Sequence, residues 1–279
     1  MIFELYILNL IFMKQGVIKI LFIGDIVGRP GRNVTKKLLP QLIEEHKIDF
    51  VIANGENLAA GNGMTFETYK EMIDADVDLF TSGNHIWNNK DIIEHLDDST
   101  THVIRPLNYP ESVPGKGFEI LQKDGKKLLV ANFQGRIFMP DSLGDPFTLA
   151  EKFAADHKGL PILIDFHAEA TSEKIAFGRY LDGKVAAVIG THTHVQTADE
   201  TIFPGGSGFI TDVGMVGPID SVLGVEKEII IEKFLTQLPV SHKVASGEVN
   251  FAAVVITIDP EKKITMQIER INQNINLSE

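Results

Sequence analysis

The chain has 279 residues, 44% of them apolar, enough for a full hydrophobic core in one large α/β domain or two small ones. Its 38 acidic and 26 basic residues leave a net charge of −12, which repels a polyanionic backbone and argues against long nucleic acid as a partner. With no cysteine, disulfides, thiolate metal sites and cysteine nucleophiles are all excluded, so any metal must sit on nitrogen and oxygen ligands: manganese, iron or zinc.

Residues 1–13, MIFELYILNLIFM, are apolar but carry Glu4 and Asn9. The run is too short to span a bilayer and lacks both preceding basic residues and a small-residue cleavage site. Met13-Lys14 makes an equally natural start, so 1–13 reads as a disposable extension, 14–279 as a single domain, and the protein as cytoplasmic with no membrane attachment. Residues 17–23 read as a buried strand ending at Gly24-Asp25, with a helix over 32–46 that is apolar at Val34, Leu38, Leu39, Leu42 and Ile43. The glycines around Asp25 fit neither the dinucleotide fingerprint nor the P-loop. A second strand, 50–53, runs into Asn54-Gly55-Glu56-Asn57, followed by a helix over 65–75. A third, 77–81, delivers Ser82-Gly83-Asn84-His85, with Trp87 packing the loop.

After a helix at 90–96 and a proline-bearing stretch at 105–117, strands 117–122 and 127–132 form a hairpin through Lys123-Asp-Gly-Lys126. A helix at 148–157 precedes strand 160–165, which leads into Phe166-His167-Ala-Glu169. Thr171 to Lys174 suit a first helical turn capped by Thr or Ser, with Glu173 and Lys174 in a purely structural role. The apolar run 184–189 opens onto Gly190-Thr-His192-Thr-His194. If that segment is extended, i and i+2 share a side and both imidazoles face one point beyond the strand. A strand among turns in 202–212, a flexible loop at 214–224, a helix at 227–237 and strands 248–258 and 263–271 complete the chain. His46, His95, His102, His157 and His242 carry no assigned role, and Arg29, Arg32 and Arg136 read equally as phosphate contacts or structural arginines.

Five strand ends thus carry Asp25, Glu56 with Asn57, Asn84 with His85, His167, and His192 with His194. Taken singly each is an ordinary turn. Together they describe a two-metal centre, with cations about 3.5–4 Å apart, a bridging carboxylate, and a bridging water acidified towards a pKa of about 7. The blocks Gly24-Asp25, Gly55-Glu56-Asn57, Gly83-Asn84-His85, His167 and Gly190-Thr-His192-Thr-His194 resemble those of the metallophosphoesterase (calcineurin-like) superfamily. Asp25-Ile-Val-Gly-Arg-Pro-Gly31, Asn54-Gly-Glu-Asn57 and Asp165-Phe-His-Ala-Glu-Ala-Thr-Ser-Glu-Lys174 are similar to its YmdB-like branch, described as phosphodiesterases of 2′,3′-cyclic nucleotides. The resemblance runs from Val17 to the C-terminal strands. It departs from the wider superfamily at Val27, where a histidine is usual, and at Glu56, where an aspartate is usual. The YmdB-like branch shares both departures.

The resemblance implies a four-layer α/β/β/α sandwich of two mixed sheets flanked by helices. It implies one metal on Asp25, Glu56, Asn57 and His194, another on Glu56, Asn84, His167 and His192, and Glu56 as the bridge. The metals would be two divalent or mixed-valence ions, iron or manganese, with zinc as the further option. Attack by a bridging hydroxide, with His85 as the general acid, would hydrolyse a small phosphodiester such as a 2′,3′-cyclic nucleotide. A phosphomonoesterase with the same centre, and a nucleotide-sensing regulator with incidental catalysis, are the alternatives. A homo-oligomer is the base-rate expectation for a compact metabolic enzyme.

Overall fold

In the computed structural model, which describes residues 16–276, the chain forms two packed mixed sheets with helices outside them. The extension expected at 1–13 lies outside the described residues. The first sheet contains β1 (Ile18–Ile23), β2 (Asp25–Ile26), β3 (Phe50–Asn54), β4 (Leu79–Thr81), β11 (Met215–Pro218), β12 (Val249–Asp259) and β13 (Ile264–Ile275). Their order is β2-β11-β12-β1-β3-β4, with β13 paired along β12. The second contains β5 (Phe118–Lys123), β6 (Lys126–Gln134), β7 (Ile162–His167), β8 (Ala187–Thr191), β9 (Thr201–Ile202) and β10 (Gly208–Ile210), in the order β5-β6-β7-β8-β10-β9.

Alternation along the strands explains why they read as unbroken apolar runs. In β1, Leu21 and Ile23 face a core shared with helices α1 (Gly28–His46), α2 (Phe66–Ile73) and α3 (Lys90–Ile93), whereas Ile18, Ile20 and Phe22 face the second sheet. In β6, Leu128 and Val130 meet that inter-sheet core, while Leu129, Ala131 and Phe133 pack under α4 (Pro146–Asp156) and α5 (Thr171–Tyr180). Three apolar layers separate four structural ones, so the expected α/β/β/α sandwich is the observed fold. Helix α6 (Lys227–Thr236) stands apart, burying Ile230 alone. Among the described residues no helix is long and apolar enough to cross a membrane.

Several boundaries differ from the sequence reading. Helix α1 starts at Gly28, ahead of the expected 32, because Pro30 falls in the first turn, where its missing N–H would have had no helical partner. β7 extends to His167, so that imidazole is the strand's last side chain. No side chain caps α5: Ala170 occupies the cap position and Thr171 is already helical. Part of the expected flexible loop at 214–224 is strand β11, paired in parallel with β2. The hairpin forms as expected, with Asp124 and Gly125 at φ 50° and 78° between the paired Lys123 and Lys126.

Parallel pairing sets the functional edge. β1, β3 and β4 run parallel, as do β6, β7, β8 and β10, so within each group the carboxyl ends lie on one side. Register then places Asn54 beside Thr81 and His167 beside Thr191. Loops leaving such an edge are where α/β proteins build their sites.

Candidate metal centre

Two glycines let the strand ends converge. A side chain at Gly24 would put a Cβ 2.0 Å from the Gly214 carbonyl oxygen, so glycine permits the crossing that carries Asp25 into β2. A Cβ at Gly83 would lie 2.2 Å from His167 Nε2 and 2.3 Å from Glu56 Oε2. The turn holding Asn84 and His85, a 3-10 segment at Asn84–Trp87, therefore rests directly on two candidate ligands.

The residues singled out from the sequence fall into two groups that share Glu56. In the first, Glu56, His167 and His192 offer ligand atoms all within 4.8 Å of one another. His167 Nε2 lies 3.2 Å from Glu56 Oε2 and 3.0 Å from His192 Nδ1. In the second, His194 Nε2 lies 3.7 Å from Asp25 Oδ1 and 3.1 Å from Asn57 Nδ2, and Asn57 reaches Glu56 Oε1 at 3.4 Å. Asn57 turns its Oδ1 towards His85 Nδ1, 3.0 Å away, so ligation beside His194 would require the amide to turn over. His85 also lies 3.4 Å from Glu56 Oε1, and its backbone N–H donates to Glu56 Oε2.

The route by which the two imidazoles arrive differs from the expectation. β8 ends at Thr191, and His192 and His194 have φ of 101° and 64°, so the segment is not extended and the two rings do not face one point. The turn sends His192 to Glu56 and His167, and His194 to Asp25 and Asn57. Positive φ is uncommon and costly outside glycine, and such strain collects at sites where position matters more than local comfort.

Donor chemistry and burial fit a cation. Asp25 Oδ1 and Asn84 Oδ1 are buried without a hydrogen-bond partner, an expensive arrangement for two oxygens unless something positive takes them. Burial pushes the Asp25 carboxyl well above the usual range, and the carboxylates of Glu56, Asp212 and Asp165 push the same way against His167. Burial opposes charge on Glu56 too, but His167, His85 and His192 outweigh it and hold that carboxyl far below its ordinary value. His167 is pulled the other way: despite burial, Glu56, Asp25 and Asp165 raise it to about 9. Burial and the charge on His167 lower His192 to about 3, and burial lowers His194. One protonated imidazole thus balances a pocket of carboxylates, a role a bound metal ion could take over.

A surrounding set of side chains, none given a place at the site by the sequence, orients these groups. Asp165 accepts from Thr191 Oγ1 at 2.7 Å and from Asn54 Nδ2 at 3.2 Å, and Thr191 Oγ1 lies 2.9 Å from His167 Nδ1, which leaves Nε2 facing Glu56. Lys174 and Asp212, both buried, pair at 2.6 Å. Lys174 donates to the Thr191 carbonyl and Asp212 accepts the Thr193 N–H, so the pair clamps the turn bearing both histidines. Glu173 accepts the N–H groups of Arg136 and Ile137. Both α5 residues are structural as expected, but they are buried. Glu169 Oε2 approaches His192 Nε2 at 3.2 Å. Asp165 had a readable signal, since it stands two residues before His167 in an apolar strand and so shares its face. Arg32 is engaged by Glu71 and the Leu58 carbonyl, and Arg136 by Asp145.

Over residues 21–271 the chain matches the family model described as YmdB-like protein. It is 50% identical over 255 residues, 91% of this chain and 96% of the relative, to the 2′,3′-cyclic-nucleotide 2′-phosphodiesterase of Bacillus subtilis (strain 168). A crystal structure of a hypothetical protein from Thermus thermophilus superposes with a TM-score of 0.86 at 41% identity, covering 92% of this chain and 99% of that one. A novel phosphatase from Mycoplasma pneumoniae superposes at 0.87 with 34% identity, covering 93% and 94%. With the match spanning both sheets and every strand end that carries a candidate ligand, the chain belongs to the YmdB-like protein family.

Proposed function

We propose that the protein is a dinuclear-metal phosphodiesterase that opens small phosphodiesters, with 2′,3′-cyclic nucleotides as the favoured class. The observation that carries this reading is the position of Glu56 between two donor groups, Asp25–Asn57–His194 and His167–His192, with the His85 ring against it, and the buried, unpartnered Asn84 Oδ1 is the further donor proposed for the second group. Carboxylate, amide oxygen and imidazole donors without thiolate suit iron or manganese, and zinc less distinctively. Bound cations would supply Lewis-acid neutralisation of the phosphate and a lowered pKa for the attacking water.

The chain's own residues account for the remaining steps. His85 is one-third exposed, so its ring can meet substrate and carry a proton to the leaving oxygen. As the water oxygen bonds to phosphorus and gives up one proton to solvent, one ribose oxygen–phosphorus bond breaks and that oxygen takes the His85 proton, giving a phosphomonoester. Thr191 and Asp165 keep the His167 ring from turning during this exchange. Support for self-association lies in the exposed Ile231, Phe234 and Leu235 of α6, and a cytoplasmic setting suits a chain without cysteine.

Elemental analysis of gently purified protein, paired with hydrolysis of 2′,3′-cyclic nucleotides, tests the reading. Near two metals per chain with diester turnover is expected, and His85→Ala should lower kcat by about 10²–10⁴-fold while metal content holds. Protein that stays metal-free and inactive after manganese and iron are supplied would refute the assignment.

A further inference from the structure

Phe138 is 85% exposed and sits at φ 63°, a left-handed conformation that a bulky aromatic residue seldom adopts. It stands at the tip of the loop between β6 and α4, and both feet of that loop are fixed. On one side, Gly135 donates its N–H to the His167 carbonyl at 2.9 Å, and Glu173 holds the N–H groups of Arg136 and Ile137. On the other, Asp141 accepts from Tyr109 Oη at 2.8 Å and Gln134 Nε2 at 3.1 Å, and the Tyr109 ring packs edge-on against Trp87, in the same turn as Asn84 and His85. β6 itself faces that turn, since Ser82 donates its N–H to Asn132 Oδ1 at 3.2 Å. The tip is therefore suspended between the strand carrying His167 and the turn carrying His85.

We propose that Phe138 is a specificity-determining residue, a stacking platform for the aromatic base of the nucleotide whose ribose oxygen takes the His85 proton. This rests on the phosphodiesterase reading above and names its substrate class, a nucleoside phosphate. A pinned loop that holds an aromatic ring in solvent, in a backbone conformation its own packing does not reward, draws its return from a planar apolar group arriving with substrate. Stacking of a base on an aromatic side chain is tolerant of base identity, so purine and pyrimidine substrates share the contact.

The test compares 2′,3′-cyclic adenosine monophosphate with glycerol 1,2-cyclic phosphate, a cyclic diester without a ring to stack, followed by phosphorus NMR. Phe138→Ala should raise KM for the adenosine substrate about 10-fold with kcat held, and leave glycerol cyclic phosphate unchanged. Phe138→Trp should restore the low KM, and Phe138→Leu, of similar bulk but without a ring, should not. Because the side chain is almost fully exposed, none of these changes opens a cavity. An unmoved KM in Phe138→Ala, or an equal rise for both substrates, overturns the stacking role. Wild-type protein that hydrolyses neither cyclic diester overturns the phosphodiesterase reading, and this inference with it.

Discussion

Gly83 and His194 show how little room single residues leave at this site. Gly83→Ala forces a methyl group against His167 and Glu56, so either the ring or the carboxylate must give way. An overpacking cost of about 1–3 kcal/mol is expected, along with loss of bound metal, read by thermal melting and metal stoichiometry. A full metal complement with an unchanged melt would contradict the contact. At His194, φ 64° separates the imidazole's chemistry from its backbone cost. His194→Ala and His194→Gly both delete the imidazole, but glycine tolerates the left-handed conformation. In urea unfolding of metal-free protein, the glycine variant should exceed the alanine variant by about 1 kcal/mol. The candidate ligands were legible as residue types at strand ends. Their backbone angles were not, because positive φ at His192 and His194 is imposed by what lies across the site, not by their neighbours in sequence.

At the scale of elements, α5 does more than cover the second sheet. Its Lys174 enters the interior and meets Asp212, just beyond β10, and together they hold the turn after β8. Lys174→Met leaves a buried carboxylate without its partner and should lose about 3–5 kcal/mol in urea denaturation. Lys174→Met combined with Asp212→Asn should recover a substantial part, since the amide still offers an acceptor to Thr193 without carrying charge. Equal losses in the single and double variants would show that the pair's charge is not what matters. Most strands, both long outer helices and the hairpin were readable from apolar runs, periodicity and Asp-Gly. Lys174 was not, because a lysine in a first helical turn ordinarily points to water, and only the far-off Asp212 makes its burial tolerable. β2 and β11 were missed for a similar reason: two- and four-residue strands exist through long-range pairing and leave no period of their own.

Across the whole molecule, an acidic chain concentrates buried charge at one edge, where carboxylates face the His167 imidazolium and the Lys174 ammonium. With His167 raised to about 9, a metal ion that takes this ring as a ligand at neutral pH would displace a proton from it. Metal affinity should therefore fall as pH falls and cease to gain from this group above about 9. Titration calorimetry in buffers of different ionisation enthalpy should register release of at least one proton per chain at pH 7. Heats that do not vary with buffer would disprove the exchange. In the metal-free protein the sign is opposite: a raised histidine contributes stability in full below its unfolded value of 6.5, and loses it as pH climbs through about 9.

β1 lies between β3 and β12, and Gly24, just before Asp25, donates its N–H to the Ala252 carbonyl. A nascent chain emerging from the ribosome therefore has β3 and β4 available early for one side of β1, while the other side waits until some 230 further residues have been made, about the span from Ile23 to Ala253. Until then Asp25 lacks the backbone partners that fix its position, and a metal ion held there would bind only after these late segments have joined the sheet.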